Sequence, residues 1–263
     1  MNLNSFLIKT LPPNFYSQIR YLKNSLIIRM TGGKIFKQTK LLQAAKNTKY
    51  EALFQNSLQN FSLIVKNFKN EFNFPLGFVY NGQFESVDFE IYYSVIRKYK
   101  PDLIIEIGSG HSTHLAVKAL KKNRKGKVIV IDPSPQRDLP EVDHIKGKVE
   151  NADLKIFRQL KKNDILFIDS SHTAKEANYH ITKILPNLKS GVLVHHHDIF
   201  YPYKAKYGEE KVILNYYSKS NIYVVLLGSS WMHYYAREKI LKLVPSFKYN
   251  LNRTSGSVWT FKI

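Results

Sequence analysis

The chain has 263 residues, with 40 Lys and Arg against 20 Asp and Glu, and a formal net charge of +20. This length suits one α/β domain with an added segment, and the absence of cysteine excludes disulfides and thiolate metal sites. No apolar run approaches the roughly 18 residues of a membrane span, and the N-terminus lacks the features of a secretory signal. We therefore expect a soluble, cytoplasmic protein without a transmembrane segment.

The positive charge is compatible with nucleic acid, an anionic lipid surface or a charged glycan as a partner. Lysine, asparagine and isoleucine are all abundant, as under an AT-rich coding bias, and most lysines stand singly where solvated surfaces are expected. Charge alone therefore identifies no partner. Of these partners we do not expect nucleic acid to be bound, and we leave open a peripheral contact with an anionic membrane.

The first segment of the chain differs in composition from the rest. Residues 1–75 carry 11 Lys and Arg against 2 Asp and Glu, whereas residues 76–263 carry 29 against 18. We predict a basic helical extension over residues 1–75 and a larger domain over residues 76–263. The apolar residues of one helical stripe, spaced by four and three, are Phe54, Leu58, Phe61, Val65, Phe68 and Phe72. This stripe is expected to cover the larger domain or a second copy of the chain, with a membrane-surface helix as the alternative.

From residue 102 onward, short apolar runs alternate with helical stretches, which is typical of βαβ units and a parallel sheet. The predicted strands cover residues 103–105, 128–131, 165–168, 192–194, 222–227 and 257–261. The predicted helices cover residues 112–123, 153–161, 173–186, 209–219 and 234–243. The sequence therefore predicts an α/β fold.

A glycine turn follows the first predicted strand, in the run Glu106-Ile107-Gly108-Ser109-Gly110. Glycines let the backbone approach a ligand closely, and the N-terminus of the following helix supplies free N–H groups. Asp132 ends the second strand, where a carboxylate can accept both hydroxyls of a ribose. Thr113 replaces the third glycine of a dinucleotide motif, which favours S-adenosylmethionine (SAM) over a nicotinamide cofactor. A simple helix-capping turn beside an unrelated surface aspartate is the alternative.

Polar residues also follow the third and fourth strands at their carboxyl ends, where open parallel sheets bind ligands. Asp169 and His172 follow one strand, and His195-His196-His197-Asp198 follows the next. Two carboxylates and an imidazole suit a divalent cation such as Mg²⁺ or Mn²⁺, so Asp169, His197 and Asp198 are candidate metal ligands. Alternation along the strand sends His196 to the opposite face. Capping and core-edge groups without a metal are the alternative.

The run from Phe78 to Asp198 resembles class I SAM-dependent methyltransferases. It is most similar to the branch with the metal-dependent sugar O-methyltransferases and the cephalosporin-hydroxylase-like proteins. The matching pieces cover residues 81–88, 106–110, 164–172, 185–192 and 197–202. The resemblance implies a Rossmann-like, seven-stranded, mostly parallel sheet with one antiparallel strand from the final hairpin. It also implies SAM at the ends of the first two strands.

The resemblance further implies roles for individual residues. Cofactor contacts are expected from Glu106, Gly108, Ser109, Gly110, Asp132 and Asp169. Asp169 and the pair His197-Asp198 match positions that bind the cation, and His172 matches a general base acting beside Asp169. This sequence departs from the family at His197, where the relatives carry a glutamate.

The expected activity is O-methylation of a hydroxyl on a sugar, glycan or glycosylated metabolite, within a methyltransferase domain over residues 76–263. Two alternatives stay open. The first is a SAM-fold binding protein without catalysis, and the second is a nucleic-acid methyltransferase that uses the basic N-terminal segment.

Overall fold

The computed structural model describes residues 49–251 and 253–263, which form a central sheet flanked by helices on both faces. The strands, numbered in chain order, are β1 (Leu103–Ile107), β2 (Lys127–Ile131), β3 (Asp143–Ile145), β4 (Ile165–Ile168), β5 (Leu193–His196), β6 (Tyr223–Gly228) and β7 (Val258–Lys262).

The sheet has the strand order β3-β2-β1-β4-β5-β7-β6. Strands β1 to β5 pair in parallel, and β7 pairs antiparallel with both β5 and β6. The Rossmann-like, seven-stranded, mostly parallel sheet predicted from the sequence is therefore confirmed, including the one antiparallel strand of the final hairpin. The order reverses between β1 and β4, which places a ligand-binding crevice outside their carboxyl ends.

The central strands were predictable because helices cover both of their faces and every position is buried. Strands β1 and β4 are buried along their whole length, which requires the near-continuous apolar runs seen in the sequence. The edge strand β3 was missed, because its three residues are all exposed and carry no apolar pattern. Its pairing with β2 is a tertiary contact, and no local feature of the sequence indicates it.

Strand β5 extends two residues beyond the predicted 192–194 and takes in two histidines. His195 stacks on Phe167 with ring centroids 4.0 Å apart, and its Nε2 lies 2.8 Å from Ser257 Oγ. His196 points to the opposite face, as strand alternation predicts, with Nε2 2.9 Å from Tyr217 Oη. Burial lowers the pKa of both rings, that of His196 to about 3. Both histidines therefore pack as neutral core residues.

The helices are α1 (Glu51–Phe54), α2 (Ser57–Val65), α3 (Leu76–Val79), α4 (Asp88–Tyr99), α5 (His111–Asn123), α6 (Ala174–Tyr179), α7 (Glu209–Lys219), α8 (Ser229–Tyr235) and α9 (Arg237–Leu243). Helices α5 and α7 agree with the predictions for 112–123 and 209–219. Helix α5 follows β1 directly, so its N-terminus lies near the carboxyl end of that strand.

Three predicted helices are wrong in part. Residues 153–161 form only a 3₁₀ turn over Leu154–Gln159, because Phe157 and Leu160 anchor this short connector in the core. The predicted helix 173–186 changes after α6 into a π-helical turn and then a 3₁₀ turn that contains Pro186, since proline cannot continue the helical hydrogen bonding. The predicted helix 234–243 breaks at Ala236, whose φ of −143° is not helical.

The N-terminal segment packs directly on the sheet domain over its described part. The predicted helix over 54–72 is divided into α1, α2 and a 3₁₀ turn, but its apolar stripe is buried as expected, with Phe54, Phe61 and Val65 in the core. The Phe54 ring stacks on Tyr201 at 5.6 Å and lies where a Cβ on Gly228 would be. Residues 1–48 of the predicted basic extension lie outside the described residues.

Replacing Phe54 by leucine is expected to lower the free energy of unfolding by about 1 kcal/mol, because the smaller side chain fills the space beside Gly228 less well. Denaturant unfolding measures the change. Leu63→Ala is the matched control, since Leu63 is 59% exposed and should change stability by less than about 0.5 kcal/mol. Equal losses in the two variants would mean that burial of this segment does not stabilise the fold.

The part of the chain that the structure describes holds no helix that is both long and apolar enough to cross a bilayer.

Candidate functional site

Two adjoining pockets open at the carboxyl ends of β1, β2, β4 and β5. The first, called here the Asp132 pocket, includes Gly108, Asp132 and Ser134 in its lining. The second, the His172 pocket, includes His172 and Asp198. The two pockets share part of their walls, formed by Ser109, Gln136, Asp169 and Ser170. A molecule in one pocket therefore meets a molecule in the other at this common wall.

The glycine turn after β1 brings backbone close to the base of the Asp132 pocket. Gly108 has a φ of +88°, and a Cβ at this position would lie 1.8 Å from the carbonyl oxygen of Asp169. Only glycine fits here without moving the backbone. The Ser109 hydroxyl donates to Asp132 Oδ2 at 2.6 Å, and the Ser134 N–H donates to Asp132 Oδ1 at 2.8 Å. The Asp132 carboxylate is thereby held at the pocket wall.

Glu106 does not line either pocket, although the sequence predicted a contact with the cofactor. It is fully buried, and it accepts hydrogen bonds from Tyr92 Oη at 2.9 Å and Thr113 Oγ1 at 2.5 Å. Burial raises its pKa to about 7. Thr113 Oγ1 in turn accepts from the Gly110 N–H at 3.1 Å. Glu106 therefore supports the glycine turn from beneath, through Thr113.

His172 lies among three carboxylates at one end of the His172 pocket. Its Nδ1 is 2.6 Å from Glu209 Oε1, and its Nε2 is 3.4 Å from both Asp169 Oδ1 and Asp198 Oδ2. Burial disfavours the charged ring, but hydrogen bonds to Asp169 and Glu209 outweigh it and raise the pKa of His172 to about 10. The ring therefore carries a positive charge at neutral pH. Tyr207 stacks on its face at 4.8 Å.

His197 has a similar environment deeper in the same pocket. Its Nε2 lies 3.6 Å from Asp198 Oδ1. Burial opposes protonation, but the negative charges of Asp169, Asp198 and Asp88 raise the pKa of His197. Asp88 is itself buried and accepts a hydrogen bond from the Gly256 N–H at 2.8 Å. The predicted residues Asp169, His172, His197 and Asp198 thus do converge.

Two acids that act on His172 and His197, Glu209 and Asp88, were not assigned from the sequence. Glu209 begins helix α7, whose bounds were predicted without any role for its first residue. Asp88 lies in the run 81–88 that resembles the methyltransferases, so this resemblance already pointed to it as a residue of the site. Gly110 lines the His172 pocket, whereas the other predicted cofactor residues apart from Glu106 line the Asp132 pocket.

The arrangement does not fit the divalent cation predicted at Asp169, His197 and Asp198. The His172 imidazole fills the space between the Asp169 and Asp198 carboxylates, and its positive charge already compensates part of their negative charge. Within residues 49–251 and 253–263, no group of three or more His, Asp and Glu side chains is arranged to hold a metal ion. We therefore derive no chemical step through a metal.

Comparison with known proteins finds a family match that covers part of the lining of both pockets. Residues 105–199 match a family model described as a methyltransferase domain. The matched range begins just before the glycine turn, includes Asp132, Asp169 and His172, and ends just after Asp198.

Three individual similarities are weaker or partial. An uncharacterised protein of Archaeoglobus fulgidus is 35% identical over 94 residues, which cover 32% of this chain but only 42% of that protein. A crystal structure of a provisionally named O-methyltransferase from Klebsiella pneumoniae is 12% identical with a TM-score of 0.47, over 81% of this chain and 93% of that one. The O-methyltransferase TomG from Streptomyces achromogenes, involved in tomaymycin synthesis and solved with SAM, is 12% identical with a TM-score of 0.42, over 90% and 96%. These TM-scores are too low to support an argument about the acceptor.

Proposed function

We propose that this chain, whose residues 105–199 match a methyltransferase-domain family model, is a class I SAM-dependent methyltransferase that transfers a methyl group from SAM to a hydroxyl oxygen of a small acceptor. The observation that carries the proposal is the wall shared by the two pockets. A cofactor seated in the Asp132 pocket presents its reactive end to whatever occupies the His172 pocket. One pocket then serves the donor, and the other serves the acceptor.

The residues of the Asp132 pocket fit the cofactor chemically. Gly108 lets the turn after β1 pass directly against the Asp169 carbonyl, where a Cβ would lie 1.8 Å from the oxygen, and Gly108 itself lines the pocket. The Asp132 carboxylate stands where it can accept the hydroxyls of a ribose. Asp169, in the shared wall, offers negative charge beside the position of a sulfonium.

Bound SAM supplies a methyl group that is already activated on sulfur. When the O–CH₃ bond forms and the S–CH₃ bond breaks, the acceptor hydroxyl must also lose its proton. In its neutral form His172 donates from Nδ1–H to Glu209 and accepts the acceptor's proton at Nε2, and the Asp169 and Asp198 carboxylates then stabilise the protonated ring. Confining the two reactants at the shared wall contributes several kcal/mol by positioning alone.

A sugar or glycan hydroxyl is the acceptor class that suits the His172 pocket best. The pocket is lined mainly by polar side chains, which match a polyhydroxylated ligand. Tyr207 is 40% exposed beside His172 and offers an aromatic face on which a sugar ring can stack. The intact set of His172 with its three carboxylates favours an active enzyme over a binding protein without catalysis.

The direct test is titration of the purified protein with SAM and with S-adenosylhomocysteine (SAH), followed by transfer of a labelled methyl group to a panel of sugars. We expect binding of both compounds at micromolar concentrations and label on hydroxyl-bearing acceptors only. If neither compound binds, the proposed function fails. Binding without transfer to any acceptor would instead support the non-catalytic alternative.

Removal of divalent cations is expected to leave the methylation rate within a factor of two. The reason is that His172 fills the space between the two carboxylates that a cation would need. Initial rates with and without EDTA measure the effect, and re-addition of Mg²⁺ or Mn²⁺ is the control. A large loss of methylation rate in EDTA that Mg²⁺ or Mn²⁺ restores would contradict this expectation. It would support Asp169, His197 and Asp198 as metal ligands.

A further inference from the structure

The His172 pocket is asymmetric in charge. One end holds the carboxylates of Asp88, Asp169 and Asp198, which lie beside the rings of His172 and His197. The other end holds His111 and Arg137. Among the described residues, no carboxylate lies close enough to these two side chains to alter the pKa of either. The second end is therefore positive without an internal counter-charge.

Arg137 lies in the loop after β2 and is partly buried in the pocket wall. Burial lowers the pKa of its guanidinium, which means that the protein environment disfavours the charge it must carry. In the part of the chain that the structure describes, no Asp or Glu oxygen lies within ion-pair distance of this group. A half-buried arginine in this situation lacks the planar anionic partner that its geometry suits.

His111 is the first residue of α5 and is only 6% exposed. Its Nε2 is buried without a hydrogen-bond partner among the described residues. Burial first, and then the positive charges of Arg137 and His114, lower the pKa of His111 to about 3. The ring is therefore neutral, and in the tautomer with hydrogen on Nε2 it has an N–H to donate there. A buried polar atom without a partner is costly, so this position favours a ligand that supplies an acceptor.

Two other cations of the pocket are already compensated. Burial lowers the pKa of Lys206, and the negative charges of Asp198 and Glu210 offset part of this effect. The Lys206 Nζ also lies 4.0 Å from the centroid of the Phe200 ring. Arg253 makes an ion pair of 2.8 Å with Glu85. The uncompensated charge is thus confined to the His111 end.

We propose that Arg137 and His111 form a subsite for an anionic group, a carboxylate or phosphate, of the methyl acceptor. This inference rests on the proposed function and narrows its acceptor to an anionic hydroxyl compound such as a sugar acid. The two ends line one pocket, so a single small molecule can place a hydroxyl at His172 and its anionic group at Arg137. Neither residue lines the Asp132 pocket, which favours the acceptor over the cofactor as the source of the anion.

The test uses the full chain saturated with SAH, so that the cofactor's own carboxylate is already in place. Glucuronate and glucose are titrated separately, and binding is followed by NMR of the histidine ring signals. We expect glucuronate to bind at least about tenfold more tightly than glucose, because charge-assisted hydrogen bonds to a guanidinium are strong. R137M should remove this preference, and R137K should retain part of it. R158M is the control, since Arg158 is exposed and far from both pockets, and it should bind as the wild type does.

Two results would overturn the subsite. The first is equal affinity for glucuronate and glucose in the wild-type complex with SAH. The second is a large loss of SAH affinity in R137M together with no glucuronate binding to the SAH complex, which would assign the group to the cofactor's carboxylate. Failure of the wild-type chain to bind SAH at all would count against the proposed function itself, so the two failures are distinguishable.

Discussion

Replacing Gly108 by valine is expected to weaken binding of SAM and SAH by more than about a hundredfold. A side chain at this position collides with the Asp169 carbonyl, because a Cβ would lie 1.8 Å from that oxygen, and the φ of +88° is unfavourable for any other residue. The turn would have to move away from the cofactor. Calorimetric titration with SAH measures the loss.

Gly147→Val is the matched control for this substitution, since a Cβ at Gly147 meets nothing within 4 Å, and it should bind SAH normally. The Gly108→Val substitution strains the backbone where β1 and β4 meet. A second variant therefore separates a loss of binding from a loss of folding. Asp132→Ala leaves the backbone unchanged and should weaken SAH binding about tenfold or more, through loss of charged hydrogen bonds to the ribose. Unchanged affinity in both variants would refute the assignment of the Asp132 pocket to the cofactor.

Replacing His172 by alanine is expected to lower kcat by about 10²-fold to 10⁴-fold, the usual contribution of a positioned general base. Binding of SAH should change little, because His172 does not line the Asp132 pocket. A full-rate His172→Ala variant would exclude this residue as the base. Initial rates with saturating SAM and acceptor measure the effect.

The pH profile separates a catalytic role of His172 from a structural one. Since the pKa of His172 is raised to about 10, the neutral form is scarce at pH 7, and kcat/KM should increase with pH up to about 10. His172→Ala should flatten this rise. Glu209→Gln removes a partner that raises the pKa, so the rise should move to lower pH. A profile that neither variant alters would assign the limiting proton transfer to another group.

The same shift predicts how stability depends on pH. The folded-state pKa of about 10 lies above the ordinary value of 6.5, so protonated His172 stabilises the folded state fully below pH 6.5. This contribution is lost as pH rises through about 10. Thermal unfolding of the wild type and of His172→Ala at pH 6 and pH 10 should therefore differ more at pH 6.

Much of the fold could be predicted because its signals are local. Buried parallel strands require uninterrupted apolar runs, and those of β1, β2 and β4 stand clearly in the sequence. The turn at Gly108 requires a residue that tolerates positive φ, and Asp132 follows the next strand at the spacing of a ribose ligand. Helix α7 has its predicted bounds, α5 begins one residue earlier than predicted, and Phe54, Phe61 and Val65 of the apolar stripe are buried in the core.

Other features depended on contacts between residues far apart in the chain. The edge strand β3 exists only through its pairing with β2, and Ala236 divides a segment whose apolar spacing suggested one helix. His195 and His196 became neutral core residues because rings from distant elements enclose them. Strand alternation separates His196 from His197, but no local pattern distinguishes His195 from His197 on the same face.

The sequence by itself determined the sheet, the glycine turn and the set of polar residues at the strand ends, because each has a local physical requirement. Only the tertiary structure decided how those polar residues face one another. It placed Glu209 against His172, set the His172 ring between Asp169 and Asp198, and left Arg137 without an ion-pair partner among the described residues. Charge states and metal sites depend on distances of a few ångströms between side chains from separate elements, and those distances are fixed only when the elements pack.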